Sequence, residues 1–262
     1  MAFIQMNILS RCLARRTQIC VLLPEEYNAK DAPIPVAYLL HGAGSNKTDW
    51  LLGCPVIHYV RQCKVAVVIP SCELSFYCNQ DYGLFLDYIA LELPGLCEEY
   101  FGIPPAREMT YLAGASMGGY GTFKIGFTYP EKYNAVLSLG GGNLVGRDGI
   151  MPSLKPDGTP RAHCVAFHTT DMASLRDTEY DLYHLAEEAV KNKKPLPKTY
   201  FVCGTEDGNV ENCRHTADYM KSLQGDPFRF EYREIPGGHD WETWTPEVKK
   251  FFKKIAEASH CR

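Results

Sequence analysis

Three residues in this chain could together perform nucleophilic catalysis, and each follows an apolar segment. Ser116 is the centre of the glycine-flanked pentapeptide 114–118, Gly-Ala-Ser-Met-Gly. Glycines on both sides of a serine let a strand turn sharply into a helix, which presents the hydroxyl outward. Such a serine attacks a carbonyl carbon when a histidine takes its proton and a carboxylate orients that histidine. We therefore predict Ser116 as the nucleophile, His239 as the base and Asp207 as the orienting acid.

Two backbone N–H groups are predicted to bind the negatively charged oxygen that forms during this attack. One belongs to Met117, directly after the nucleophile, and the other to Ala43, in the glycine-containing loop after the apolar segment 36–40. Donors that are in place before the reaction matter, because losing one can slow catalysis by about a hundred- to a thousandfold. His41, at the start of that loop, is expected to support the loop's geometry rather than transfer a proton.

The elements that must position these residues are short apolar segments alternating with segments of helical periodicity. Strands are predicted over residues 18–23, 36–40, 65–69, 110–113, 135–139, 199–203 and 228–234. Helices are predicted over residues 82–100, 120–129, 210–223 and 246–258. This alternation predicts an α/β fold, with a mostly parallel sheet covered by helices on both faces. In such sheets chemistry gathers at the carboxyl ends of the strands, where all three candidate residues are expected.

The chain order of serine, aspartate and histidine is that of the α/β-hydrolase arrangement. Asp207 has a rival in its neighbour Glu206, which could supply the acid instead. Residues 1–262 are predicted to form a single domain, in which segment 143–195 either caps the active site or only wraps the sheet edge. Trp50 and Trp241 could line a substrate pocket, although aromatic residues of this kind also serve as simple packing.

Composition narrows the possible partners and the location of the protein. The net charge is −4 and the pI about 6.1, with basic residues scattered along the chain, so no nucleic-acid partner is expected. Residues 1–23 contain arginines and lack the continuous apolar core of a signal peptide. No apolar run approaches the roughly 20 residues that span a bilayer. We therefore predict a soluble cytoplasmic protein with no membrane partner.

The cysteines are predicted to be free thiols rather than a disulfide framework. Their number is 11, which is odd, and they are spread along the chain, with Cys20 and Cys203 inside strand-like segments. No Cys-x-x-Cys or His-Glu-x-x-His pattern is present, and Cys213 with His215 lacks the further ligands that zinc requires. We predict no metal site.

Five motifs together resemble the esterase D and tributyrin esterase group of α/β-hydrolases, which is related to feruloyl and acetylxylan esterases and to S-formylglutathione hydrolase. The resemblance covers nearly the whole chain, and its carriers are residues 1–5, 38–42, 114–121, 203–207 and 237–241. It implies that Ser116, Asp207 and His239 form the catalytic triad, with Ala43 and Met117 at the oxyanion positions. It also implies a small-molecule acyl ester as substrate, no cofactor, and often a homo-oligomer.

The leading functional hypothesis is a serine carboxylesterase that hydrolyses acetyl or butyryl esters. Short acyl groups are favoured because no long amphipathic lid suited to a lipid interface is present in the sequence. Feruloyl or acetylxylan ester cleavage is the nearest alternative, followed by acyl transfer to an alcohol and by a binding protein that has lost catalysis. Amide hydrolysis would use the same residues. S-formylglutathione hydrolases usually carry His where Tyr120 stands and lack the His41-Gly42 form of the loop, which disfavours a glutathione thioester.

Overall fold

The computed structural model describes residues 1–25, 27–29, 33–145, 151–225 and 228–260. The strands are β1 (Ala2–Ser10), β2 (Arg15–Leu23), β3 (Val36–Leu40), β4 (Ala66–Pro70), β5 (Asn79–Gln80), β6 (Gly83–Leu84), β7 (Thr110–Ala115), β8 (Ala135–Leu139), β9 (Lys198–Gly204) and β10 (Phe230–Ile235). The α-helices are α1 (Asp49–Gly53), α2 (Val56–Cys63), α3 (Phe85–Asp87), α4 (Leu93–Phe101), α5 (Met117–Thr128), α6 (Ala162–Ala166), α7 (Leu182–Lys191), α8 (Val210–Leu223) and α9 (Trp241–His260).

Within these ranges, eight strands form one sheet in the order β1-β2-β4-β3-β7-β8-β9-β10. β2 pairs antiparallel with β1 and with β4, whereas the strands from β4 to β10 along the sheet run parallel. The prediction of a mostly parallel sheet is therefore confirmed. None of the helices in the described ranges combines the length and the apolar character needed to cross a lipid bilayer.

The central strands β3, β4, β7 and β8 are buried along their whole length because helices cover both faces of the sheet. Along β3, Val36, Tyr38 and Leu40 belong to one buried cluster, whereas Ala37 and Leu39 belong to another. This alternation follows from the two-residue period of a strand. The first cluster includes side chains of α4, α5, α7 and α8, and the second includes those of α1, α2 and α9.

The direction of strand order reverses between β3 and β7. From β3 the chain proceeds to β4 on one side, and it later returns to place β7 on the other side of β3. The loops that follow β3 and β7 therefore leave the same edge of the sheet in opposite directions and open a crevice between them. Ala43 follows β3 and Ser116 follows β7, so the topology brings both residues to this crevice.

Several elements differ from the prediction, each for a local reason. β1 was not predicted, although Ile4, Met6 and Ile8 alternate with exposed residues; as an edge strand it leaves Phe3 and Leu9 exposed, which interrupts the apolar pattern at both ends. The helix predicted over 82–100 begins only at Phe85, because the preceding residues form the β5–β6 hairpin. The helix predicted over 246–258 begins at Trp241, since Asp240 Oδ1 accepts the Thr243 N–H at 2.8 Å and caps the helix.

The segment 143–195 connects β8 to β9 and contains α6 and α7; its residues 146–150 lie outside the described residues. Helix α5 holds this segment in place. The buried Lys124 Nζ donates to the Glu179 carbonyl at 2.6 Å, and the Tyr120 hydroxyl donates to the Tyr180 carbonyl at 2.7 Å. These bonds fix residues 179–180 against the helix that begins directly after Ser116.

Candidate active site

Ser116 lies in a strained turn between β7 and α5. Its φ of 57° and ψ of −114° are unusual for a residue with a side chain. The turn is held because the Ser116 N–H donates to the Leu139 carbonyl at 2.8 Å. The flanking glycines are required by close packing: a Cβ on Gly114 would lie 2.0 Å from the Gly118 oxygen, and one on Gly118 would lie 2.2 Å from the Leu40 oxygen. This is the geometry of a nucleophile elbow.

Asp207 and His239 form a hydrogen-bonded pair at the same edge of the sheet. Asp207 follows β9 and is buried, and its Oδ2 lies 2.6 Å from Nδ1 of His239, which follows β10. The other carboxylate oxygen accepts the Asn209 N–H at 2.7 Å, which fixes the orientation of the acid. Glu206 is exposed. The structure therefore places Asp207, and not its neighbour, against the imidazole.

Gly140 connects this pair to the cavity beside Ser116. A Cβ on Gly140 would lie 3.0 Å from Asp207 Oδ2 and 3.0 Å from His239 Nδ1, so the end of β8 lies directly against the pair. Gly140 also lines the cavity, whose volume is about 270 Å³, together with Ser116. The structure thus brings the three predicted residues to one end of the sheet, with Ser116 in the cavity wall and the Asp207–His239 pair packed against Gly140.

The two predicted oxyanion residues line the same cavity. Met117 is the first residue of α5, and Ala43 lies in the loop after β3. A Cβ on Gly42, the neighbour of Ala43, would lie 3.6 Å from the Ser116 Cβ, so this loop lies beside the serine. Backbone amides from a helix N-terminus and from such a loop are well suited to bind a developing negative charge.

His41 holds the loop after β3 and has no nitrogen left for proton transfer. Its Nδ1 lies 2.8 Å from the Gly42 carbonyl, and its Nε2 accepts the Cys72 N–H at 2.9 Å. These partners require a neutral ring that donates from Nδ1. Burial lowers the pKa of His41, which favours this neutral form. The position agrees with the supporting role expected from the sequence.

Asp49 joins the loop after β3 to the segment that carries the histidine, and sequence reasoning missed it. Its Oδ2 accepts the Gly42 N–H at 3.1 Å, and its Oδ1 accepts the indole N–H of Trp241 at 3.3 Å. Trp241 is two residues after His239. An acidic residue in the first turn of a helix is common, so nothing in the sequence distinguishes Asp49 from an ordinary helix-start residue.

The structure contradicts the predicted substrate contact of Trp50. This side chain is fully buried in the cluster beneath α1 and α9, and its indole N–H donates to the Leu40 carbonyl at 3.0 Å. Trp241 is half-buried, packs against Trp50 with ring centroids 4.7 Å apart, and is not among the described residues that line the cavity. Both rings brace the loops around the site, because the Trp50 N–H donates to the Leu40 carbonyl and the Trp241 N–H donates to Asp49.

Residues 10–255 match the model of the esterase family, which covers most of the chain. The chain belongs to this family. An acetyl esterase from Caldicellulosiruptor saccharolyticus is 28% identical in sequence; the match covers 99% of this esterase and 100% of that relative.

Two solved structures from Staphylococcus aureus have the same architecture. The fluorophosphonate-binding serine hydrolase FphF is 27% identical with a TM-score of 0.82, over 97% of this esterase and 98% of that chain. The S-formylglutathione hydrolase FrmB is 28% identical with the same TM-score of 0.82 and the same coverage. This esterase is a carboxylic ester hydrolase with the α/β-hydrolase fold.

Proposed function

We propose that this esterase hydrolyses short-chain acyl esters, with Ser116 as nucleophile, His239 as general base and Asp207 as the acid that orients the imidazole. The observation that supports this proposal most strongly is the 2.6 Å bond between Asp207 and His239 at the edge of the sheet where the strained turn presents Ser116. Because Nδ1 of the histidine is engaged by Asp207, its Nε2 is the nitrogen available to Ser116.

The reaction proceeds through an acyl-enzyme. The Ser116 oxygen bonds to the carbonyl carbon while His239 takes the hydroxyl proton, and the N–H groups of Ala43 and Met117 bind the resulting oxyanion. Collapse breaks the bond to the alcohol, which leaves with the proton from His239. Water, deprotonated by the same histidine, then attacks the acyl-enzyme and releases the acid and free Ser116. The route uses only the chain's own residues and water, so no cofactor enters it.

Two observations favour small acyl groups. The cavity beside Ser116, as bounded by the described residues, has a volume of about 270 Å³. This is at the lower end of the roughly 300–1,000 Å³ typical of pockets for drug-sized ligands. The relative from Caldicellulosiruptor saccharolyticus is named an acetyl esterase. Acetyl and butyryl esters therefore fit the space better than long acyl chains do.

The test compares the native protein with Ser116→Ala and with the matched control Ser222→Ala, an exposed serine on α8. The substrates are p-nitrophenyl acetate, butyrate and octanoate, methyl ferulate and S-formylglutathione. The last is included because of the similarity to FrmB. We expect Ser116→Ala to lower kcat by at least about 10⁴-fold and Ser222→Ala to leave it unchanged. Activity of Ser116→Ala close to the native level would refute Ser116 as the nucleophile. A higher kcat/KM for the octanoate than for the acetate and butyrate esters would refute the preference for short acyl groups.

A further inference from the structure

One wall of the cavity beside Ser116 is positively charged. Lys155 and Arg161, from the connection between β8 and β9, line it. The described lining residues include no aspartate or glutamate. Arg161 is half-buried, and its Nε donates weakly to the Leu154 carbonyl at 3.4 Å. Within the described part of the chain, neither cation forms an ion pair. Hydrogen bonds from Thr159 lower the pKa of the nearby Asp157, and the charge of Lys155 lowers it further. The wall therefore presents two positive charges to a ligand.

His163 adds an unsatisfied polar group to the same wall. Its side chain lines the cavity and is 4% exposed, and its Nε2 has no hydrogen-bond partner among the described residues. Burial, followed by the charge of Arg161, lowers the pKa of His163 to about 4, so the ring is neutral near pH 7. A buried nitrogen without a partner is costly. A ligand oxygen that accepts from Nε2–H would remove that cost.

We propose that the cavity recognises esters that carry a carboxylate, which is bound by Arg161 and Lys155 and contacted by His163. The planar guanidinium matches a carboxylate through two parallel N–H donors, and the lysine adds a point charge. This inference rests on the proposed function, because it assigns the substrate class of the Ser116 site. The carboxylate can belong to the acyl group or to the alcohol, and the two sources are separated by the choice of substrate.

The test uses two substrate pairs, each differing by a methyl group in place of a carboxylate. Monomethyl succinate against methyl butyrate places the charge on the acyl side, and 4-acetoxybenzoate against p-tolyl acetate places it on the alcohol side. For each pair the measured quantity is the ratio of kcat/KM for the anionic ester to that for the neutral ester. Comparing this ratio between variants cancels the intrinsic reactivities of the two esters.

We expect Arg161→Gln to lower the ratio about tenfold for one pair, and the exposed Lys155→Gln to lower it about two- to threefold. Lys249→Gln, an exposed lysine on α9, is the matched control and should leave both ratios unchanged. The native ratio should also fall with added salt, because salt screens charge attraction. The pair that responds identifies the side of the ester that carries the carboxylate.

Ratios that agree within twofold between the native protein and the Arg161→Gln, Lys155→Gln double variant, for both pairs, would overturn the inference. His163→Gln retains a side-chain N–H donor and should preserve more of the ratio than His163→Leu does. Failure of the proposed function gives a different result, namely no hydrolysis of the neutral esters or hydrolysis that does not depend on Ser116.

Discussion

Asp49 is predicted to position the oxyanion loop, and replacing it should slow the reaction without weakening substrate binding. Its carboxylate bridges the Gly42 N–H and the Trp241 indole N–H, at 3.1 and 3.3 Å. Asp49→Ala removes both acceptors and frees the segment that holds Ala43. Asp49→Asn keeps the shape but leaves only one acceptor oxygen, so an amide N–H₂ group then faces an N–H donor.

The expected magnitude follows from these two bonds. A hydrogen bond to a charged group contributes about 1.5–3 kcal/mol, and both distances are longer than the optimum for charge-assisted bonds, so we take the lower end. If the Gly42 contribution of about 1.5 kcal/mol is lost from the transition state, kcat falls about tenfold, since each 1.36 kcal/mol corresponds to a factor of ten. Asp49→Asn should lose about threefold, and KM should change less than twofold for both variants.

The assay measures kcat and KM for p-nitrophenyl acetate together with urea unfolding of each variant. Asp218→Asn, an exposed acid on α8, is the matched control and should retain native kcat. A double-mutant cycle of Asp49→Ala with Trp241→Phe should show coupling, because both changes remove the same hydrogen bond. A native kcat for Asp49→Ala, even with reduced stability, would refute the positioning role.

Two further predictions follow from burial. The pKa of His163 is lowered to about 4 by burial, whereas a histidine in the unfolded chain titrates near 6.5. The neutral ring therefore stabilises the folded state fully above about pH 6.5, and this stabilisation is lost as the pH falls toward 4. The loss should reach about 3 kcal/mol in the free energy of unfolding at pH 4. The difference in free energy of unfolding between the native protein and His163→Gln, measured by urea titration, should therefore change by about 3 kcal/mol between pH 7 and pH 4; a difference that stays constant with pH would contradict the prediction. Eight of the ten described cysteines are buried, and burial raises the thiol pKa of Cys97, for example, to about 12. Ellman's reagent should leave these eight unmodified until the protein is denatured, and rapid native labelling mapped to them would exclude the packing described above.

Much of the sheet could be predicted because both of its faces are buried. Strands β3 and β8 have the predicted bounds 36–40 and 135–139, and helix α8 has the predicted bounds 210–223. These segments are continuous apolar runs or have a regular helical period. β1 was missed because it has no partner strand on its outer edge within the described residues, and the exposed Phe3 and Leu9 obscure the short alternation of its inward residues. The start of α9 was missed because Pro246 is typical of a first helical turn, whereas here it lies inside the helix.

The proposed catalytic residues were more accessible to sequence reasoning than the residues that support them. Ser116, Asp207 and His239 each follow a parallel strand, so the rule that strand ends share one edge was enough to group them. Asp49 bonds to Trp241 across 192 residues of sequence, and no periodic pattern connects the two. The sequence left both roles open for Trp50 and Trp241, because an aromatic side chain gives the same sequence signal whether it lines a pocket or braces a loop.

The proposed catalytic residues are placed by the sheet, whereas the proposed specificity residues are placed by individual contacts. Because strand order reverses between β3 and β7, the Ala43 loop and the Ser116 turn flank one crevice, so sheet topology places the proposed nucleophile beside the proposed oxyanion donor. The positive charge in the cavity wall comes instead from Lys155 and Arg161, in the connection between β8 and β9, whose described residues pair with no strand of the main sheet. Its placement depends on individual bonds such as that from Lys124 to the Glu179 carbonyl. Changes in this connection can therefore alter which ester is accepted while the reacting groups stay in place.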